Sequence, residues 1–285
     1  MRMFRSIAVT LFALVAVPPA LACAQNNGAA GTPLPPAVEA ARLTDVIALD
    51  GRLEERAWQR AAPATGFRQF QPEEGAAASL PTEVRILFDD RALYIGARMT
   101  QPGGVAAPLA RRDQLLDASG DNGSFNSLTT DKLIVRLDPY HNHLDDAWFE
   151  VNPSGATGEK FNGDPSWDPV WEAATHVDSL GWTAEVRIPF SQLRFSPDSL
   201  QTWGLQIWRY VDQLNEQDMW SFRPRDAASG PAFYGHLEGL VIPKQPRQLE
   251  ALPYAVTASR FERAAPADPY GEKAELRFDF GGDLK

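Results

Sequence analysis

Gly181–Phe195 reads GWTAEVRIPFSQLRF, and its alternation decides the fold. Trp182, Ala184, Val186 and Ile188 fall on one face and Thr183, Glu185 and Arg187 on the other, the period-two pattern of a core strand with one wet side. Pro189 has no N–H to give to a ladder, so pairing is expected to stop there, with Phe190 and Leu193 closing over the end of the sheet.

Upstream stretches repeat this grammar. Thr82–Asp89 (TEVRILFD) buries Val84, Ile86 and Phe88, Asp89–Ala92 turns, and Leu93–Met99 (LYIGARM) returns as the second arm of a hairpin. Asp131–Asp138 and Ala147–Asn152 are two more strands flanking the loop PYHNHLDD. Val170–Val177 pairs with the organising strand, Trp203–Val211 follows, and Trp220–Phe222 and Phe233–Leu240 are shorter. One brief amphipathic helix is expected over Leu53–Ala61, burying Leu53, Ala57 and Trp58 or Ala61. Many short antiparallel strands with Gly, Pro and Asp in the turns predict an all-β chain, an antiparallel β-sandwich with one short N-terminal helix.

The ends have a different character. Arg2 and Arg5 precede the apolar run Ile7–Val17, too short to span a bilayer, and Ala20-Leu21-Ala22 or Ala22-Cys23-Ala24 offers a small-residue cleavage site, so residues 1–24 read as a secretory signal peptide. Export to the periplasm, outer membrane or cell surface follows. Cutting after Ala24 removes Cys23, the chain's single cysteine, and Ala20 stands where a lipoprotein signal needs a large aliphatic residue. Residues 25–41 are rich in Gly, Ala and Pro and are expected to be a flexible linker, with the sandwich at 42–243. At 244–285, Gln248–Arg260 and Lys273–Lys285 are about as long as barrel-spanning strands, and Ala274, Leu276, Phe278 and Phe280 alternate with Glu275, Arg277 and Asp279. Two strands cannot close a barrel, so this region is expected to be the first hairpin of a truncated one.

The 285 residues carry 27 Lys and Arg against 37 Asp and Glu, a formal charge of −10 with no basic run. That balance repels polyphosphate and excludes nucleic acid as a partner. There is no G-x-S-x-G, no H-E-x-x-H and no phosphate loop, so no catalytic residue is assigned. A glycosidase needs only two carboxylates flanking a cleft, which leaves O-glycosyl hydrolysis as an alternative that composition cannot remove.

Several of these segments resemble a known family. ALDGRLEERAW at Ala48–Trp58, VRILFDDRALYIGARM at Val84–Met99, DKLIVRLDP at Asp131–Pro139 and GWTAEVRIPFSQL at Gly181–Leu193 are similar, in order and spacing, to the landmarks of family 9 carbohydrate-binding modules. FEVNPSG, WGLQIWRY and LEALPYAV resemble more narrowly a bacterial group in which such a module precedes a C-terminal outer-membrane-type β-barrel. The resemblance covers Leu43–Lys285. It implies a sandwich that binds carbohydrate in the cell envelope, in carbohydrate catabolism or uptake. The alternative is a periplasmic cap or assembly domain for the chain's own barrel, with no sugar bound.

A sugar site needs a flat aromatic face for the pyranose ring, with carboxylates, amides and guanidinium groups around it. Of eight tryptophans, Trp58, Trp182 and Trp203 follow apolar patterns and belong to the core. Trp148 and Trp208 lie opposite the apolar residues of their strands, Trp167 and Trp171 lie in NGDPSWDPVWEAA, and Trp220 lies in a connection. The ligand-binding candidates are Trp167, Trp171, Trp220 and Trp148, with Glu185 and Arg209 as polar partners. Arg209 shares the buried side with Leu205 and Ile207, so it either meets an acid such as Glu150 or Glu216 or lines a recess. No cofactor is required. The family resemblance implies structural calcium, for which Asp121–Asn126, Asp138–Asp146 and Asn162–Asp168 are the oxygen-rich loops. His141 and His143 form an H-x-H pair with no third ligand identifiable in the sequence, a weak zinc signal.

Overall fold

The computed structural model describes residues 34–109, 130–242, 251–262 and 273–284. The leader at 1–24 and the oxygen-rich stretch Asp121–Asn126 lie outside the described residues, as do most of the linker and residues 244–250.

The described chain runs β1 (Ala37–Glu39), β2 (Ala41–Arg42), α1 (Arg56–Arg60), β3 (Arg68–Gln71), β4 (Thr82–Phe88), β5 (Ala92–Thr100), β6 (Lys132–Asp138), β7 (Ala147–Val151) and β8 (Thr157–Phe161). It continues through β9 (Glu172–Asp178), β10 (Gly181–Pro189), β11 (Leu200–Val211), β12 (Glu216–Met219), β13 (Gly235–Val241), β14 (Ala251–Glu262) and β15 (Lys273–Leu284). One sheet has the order β1-β13-β11-β6-β7-β8, with β12 on β11 and β3 on β12. The other has the order β2-β4-β5-β10-β9, and β14 pairs only with β15. The two larger sheets are the layers of the expected sandwich.

The organising strand is central to the second sheet, antiparallel to β5 from Gly181–Thr100 to Pro189–Ala92 and to β9 on its other side. Its apolar face meets the opposite layer: Trp182, Ala184, Val186 and Ile188 join Val84, Ile86, Ile95 and Met99 in one cluster with Leu133, Val135, Phe149, Leu205 and Ile207. Burying these side chains, at roughly 1.5–3 kcal/mol each, is the main drive for stacking the sheets.

The supposedly wet face of β10 is covered. Thr183 and Glu185 are buried because residues 50–58 lie across the strand. Thr183 Oγ1 donates to the Gly51 carbonyl, and Trp58 of α1 sits over Gly96, where an added Cβ would lie 2.8 Å from the indole. Alternation identified the strand, but period two cannot reveal a second cover.

Other boundaries moved for related reasons. Ala37–Glu39, inside the stretch expected to be a flexible linker, pairs in parallel with β13. Instead of a strand at Trp220–Phe222, β12 occupies Glu216–Met219, whose buried acids and amide carry no apolar signal. The polar strands β3 (RQFQ) and β8 (TGEKF) were invisible to hydrophobic patterning.

Candidate functional site

The connection from β8 to β9 joins the edge strands of the two sheets on one side of the sandwich. It begins with a tight hairpin turn at Phe161-Asn162-Gly163-Asp164, closed by Phe161 N–H to the Asp164 carbonyl at 3.1 Å and Asp164 N–H to the Phe161 carbonyl at 2.8 Å. Asn162 and Gly163 have φ of 49° and 80°, the two left-handed positions that an Asn-Gly turn of this kind requires. The turn throws the chain back, and Trp167 lands against the side of the core.

Trp167 packs edge-on to Phe149, ring centres 5.6 Å apart, and tilted against Phe161 at 5.7 Å. Phe161 keeps 38% of its surface exposed. Seven of the eight tryptophans are buried and Trp167 is only partly so. The two rings form an aromatic shelf rooted in the core and open at its outer edge.

Polar groups rim the shelf. The Asn162 amide donates to Asp145 at 2.6 Å and its carbonyl oxygen accepts from Asp146 N–H at 2.7 Å, while the Asn142 amide donates to Asp145 at 3.0 Å. These two amides hold the Asp145 carboxyl below its ordinary value. The Ser166 backbone N–H does the same for Asp164. Both carboxylates are charged acceptors at neutral pH, fixed where a hydroxyl-rich ligand could donate to them.

The other sequence candidates lie elsewhere, and the structure corrects their expected exposure. Trp171, 7% exposed, is pinned edge-on to Phe149 and gives its indole N–H to Glu159 at 3.0 Å. Trp220, 5% exposed, packs beneath Gly235, where an added Cβ would come within 2.6 Å of the indole. Trp148 is on the outer face of its sheet, as its position opposite the apolar residues implied, but both sides of its ring are taken. Lys160 Nζ stands 3.5 Å and the Arg136 guanidinium carbon 3.8 Å from its centre. Its N–H donates to Asp146, which also accepts from Arg136 and the Tyr234 hydroxyl, each at 2.6 Å. Apolar and amphipathic rings find cover more often than they are shown.

Glu185 is a buried clamp rather than a rim group. One oxygen accepts from Asp50 N–H at 3.0 Å and Gly51 N–H at 2.9 Å, and the other from the Trp58 indole at 3.0 Å. Burial pushes its carboxyl up to about 7 against the pull of those donors. Arg209 lies fully inside the sandwich and ties its layers together. It donates to the carbonyls of Pro81 at 2.9 Å and Thr100 at 2.7 Å, to Thr82 Oγ1 at 2.9 Å and to Gln101 Oε1 at 3.2 Å. Burial lowers it to about 10, with Asp218, Asp131 and Glu216 as the nearby acids. Glu150, the other acid offered as its partner, instead stands 3.6 Å from Lys132 in a fully buried pair.

The described oxygen-rich loops Asp138–Asp146 and Asn162–Asp168 are tied together by hydrogen bonds of their own. Asp138 accepts from the Asn142 and His143 N–H groups, Asp145 from the Asn142 and Asn162 amides, and Asp164 from the Ser166 N–H. Among the described residues, as they stand, no group of three or more His, Cys, Asp or Glu side chains is placed to hold a metal ion. A groove of about 900 Å³ lined by Ala40, Arg42, Phe88, Asp90 and Ile242 lies away from the shelf. Phe88 is only 2% exposed there, so the groove offers charge without a stacking face.

Residues 49–237 match the family model described as carbohydrate family 9 binding domain-like. Among solved structures, the chain is similar to a carbohydrate binding module family 9 from Caldicellulosiruptor kristjanssonii in complex with cellotriose. The TM-score is 0.52 at 15% identity, over 74% of this chain and 100% of that one. It is similar also to a module of that family and organism in complex with glucose, with a TM-score of 0.51 at 13% identity, over 74% of this chain and 98% of that one. At such identities the likeness is one of fold. Comparison with curated proteins gives no match.

Proposed function

This chain belongs to the carbohydrate family 9 binding domain-like family, and from that premise we propose that it binds carbohydrate without cleaving it, on the shelf made by Trp167 and Phe161. The observation that carries this is the partly buried indole of Trp167, set against the exposed phenyl ring of Phe161, with hydrogen-bonded acceptors at the adjoining turn. A pyranose ring laid on such a shelf stacks its C–H face on the aromatic and turns its hydroxyls toward Asp145, Asp164 and the Asn162 turn. The cellotriose and glucose of the two similar structures make glucose-based oligosaccharides the first ligands to try.

Binding is favoured over hydrolysis by the state of the rim acids. A glycosidase needs one carboxyl raised so that it carries a proton to the leaving oxygen. Asp145 and Asp164 are both shifted the other way.

The test is a titration of the full chain with cello-oligosaccharides and with a broad glycan set, followed by tryptophan fluorescence and calorimetry. Trp167→Ala is expected to weaken binding about thirtyfold, the loss of about 2 kcal/mol usual for a central aromatic anchor, while Trp148→Phe leaves it unchanged. Flat titrations across the whole set, or binding indifferent to Trp167, would remove the proposal.

The last strands favour a second, compatible role. In β14 and β15, twelve residues each and fully paired from Ala251–Leu284 to Glu262–Lys273, the exposed side chains Leu276, Phe278 and Phe280 share one face. Arg277 and Asp279 pair at 3.3 Å on the other. One apolar and one polar face over that length suits a strand pair in an outer-membrane-type barrel. This supports an exported protein that displays its sandwich at the cell envelope.

A further inference from the structure

The loop between β6 and β7 carries a histidine pair that sequence left without a partner, and the fold supplies a third. Three of the chain's four histidines meet at one place. The His141 ring lies 4.8 Å from the His143 ring and 5.0 Å from the His236 ring, centre to centre, although His236 is on β13, 95 positions further along the chain. His141 Nε2 and His236 Nδ1 are 3.1 Å apart. We propose that His141, His143 and His236 form a binding site for one divalent transition ion of the zinc class, completed when the exposed His143 ring turns toward the other two.

The nitrogen spacing is the first argument. Zinc–imidazole bonds of about 2.0–2.1 Å set tetrahedral ligand nitrogens roughly 3.3–3.4 Å apart, so His141 and His236 need only a slight spread to share an ion. His143 is the movable member. It is exposed, and among the described residues its Nδ1 meets the Pro231 carbonyl at 3.4 Å, a long contact, so a rotamer change costs little.

The loop is also built to present these rings. His141 and His143 have φ of 50° and 61°, a left-handed backbone that is uncommon outside glycine and that the surroundings must enforce. Buried Asp138 enforces it here, accepting from the His143 N–H at 2.8 Å and the Asn142 N–H at 3.3 Å, while the His141 N–H closes on the Asp138 carbonyl at 3.1 Å. A ligating imidazole must be neutral. Imidazole is the ligand preferred by zinc, copper and nickel and not by calcium or magnesium. With three protein nitrogens the fourth position belongs to water, and the ion would fasten the loop to β13.

The experiment is calorimetric titration of the full chain, first stripped with a chelator, using Zn²⁺, with Co²⁺ absorption as the geometric readout. One ion per chain and the strong visible bands of tetrahedral Co²⁺ are expected. His141→Ala and His236→Ala should each weaken binding at least tenfold and abolish those bands, and His143→Ala should weaken it in the same direction. His176→Ala, on β9, should leave both readouts unchanged. Thermal unfolding of each metal-free variant separates loss of the site from loss of the fold, and His143→Gln, at an exposed position, provides a version that leaves packing untouched. No stoichiometric binding by the wild type, or binding that survives His141→Ala and His236→Ala combined, would overturn the site.

Discussion

Asp218 and Glu185 are the side chains whose protonation the fold controls most directly. Asp218 is fully buried on β12, beside the carboxylate of Glu216. Burial and the adjacent Glu216, itself held by Ser79, push it up to about 8 against the opposing pull of Arg209. Glu185 is pushed up to about 7. Both values exceed those of the unfolded chain, so the folded protein holds these protons more tightly. The stability they contribute is complete below the ordinary carboxylate range and is lost as pH rises through about 7 and 8. Denaturant unfolding is therefore expected to show a weaker fold at about pH 9 than at about pH 5, with Asp218→Asn flattening the difference. An unaltered slope in that variant would locate the effect elsewhere. Trp58→Phe removes one of the donors to Glu185 and should cost about 1–3 kcal/mol, the usual penalty for leaving a buried acceptor unsatisfied. At this scale sequence was a poor guide. Glu185 and Arg209 announce themselves as unusual by sitting in strands, but only their neighbours make one a clamp and the other a tie between layers.

Around strand β10, glycines stand where neighbouring backbone comes close. Gly181, at φ 137°, opens the strand so near β5 that a Cβ would lie 2.2 Å from the Met99 carbonyl oxygen. Gly51, at φ 83°, brings the turn before α1 within 2.4 Å of Thr175 backbone by the same measure. Gly181→Ala is expected to destabilise the protein by at least about 1–3 kcal/mol, since rigid backbone and an unfavourable φ oppose it together. The fall in thermal midpoint should exceed that of Gly66→Ala, at φ 77° with no atom within 4 Å. Equal losses would show that φ alone, not the close approach, sets the cost. The apolar strands β4, β5, β6, β10 and β11 were legible from alternation. The polar β3, β8 and β12 were not, because most of the side chains they bury are polar or charged and leave no apolar alternation to read.

In the molecule as a whole, the two-layer sandwich and the β14–β15 pair present different surfaces. Leu276, Phe278 and Phe280 are exposed on one face of that pair, an apolar row beside unpaired strand edges, which invites association. Replacing Phe278 and Phe280 together by Ser should reduce concentration-dependent light scattering and detergent binding of the full chain while leaving glycan affinity unchanged. Scattering that stays the same would assign association to another surface. Alternating apolar positions in β4, β5, β6, β10 and β11 called for a second layer to cover them, and a sequence that offers one short helix leaves another sheet to supply it. Tertiary structure alone decided which aromatics stayed open and which histidines met. Ring exposure depends on what the rest of the chain lays across each strand, and the approach of His236 to His141 depends on strand order, neither of which is written in local spacing.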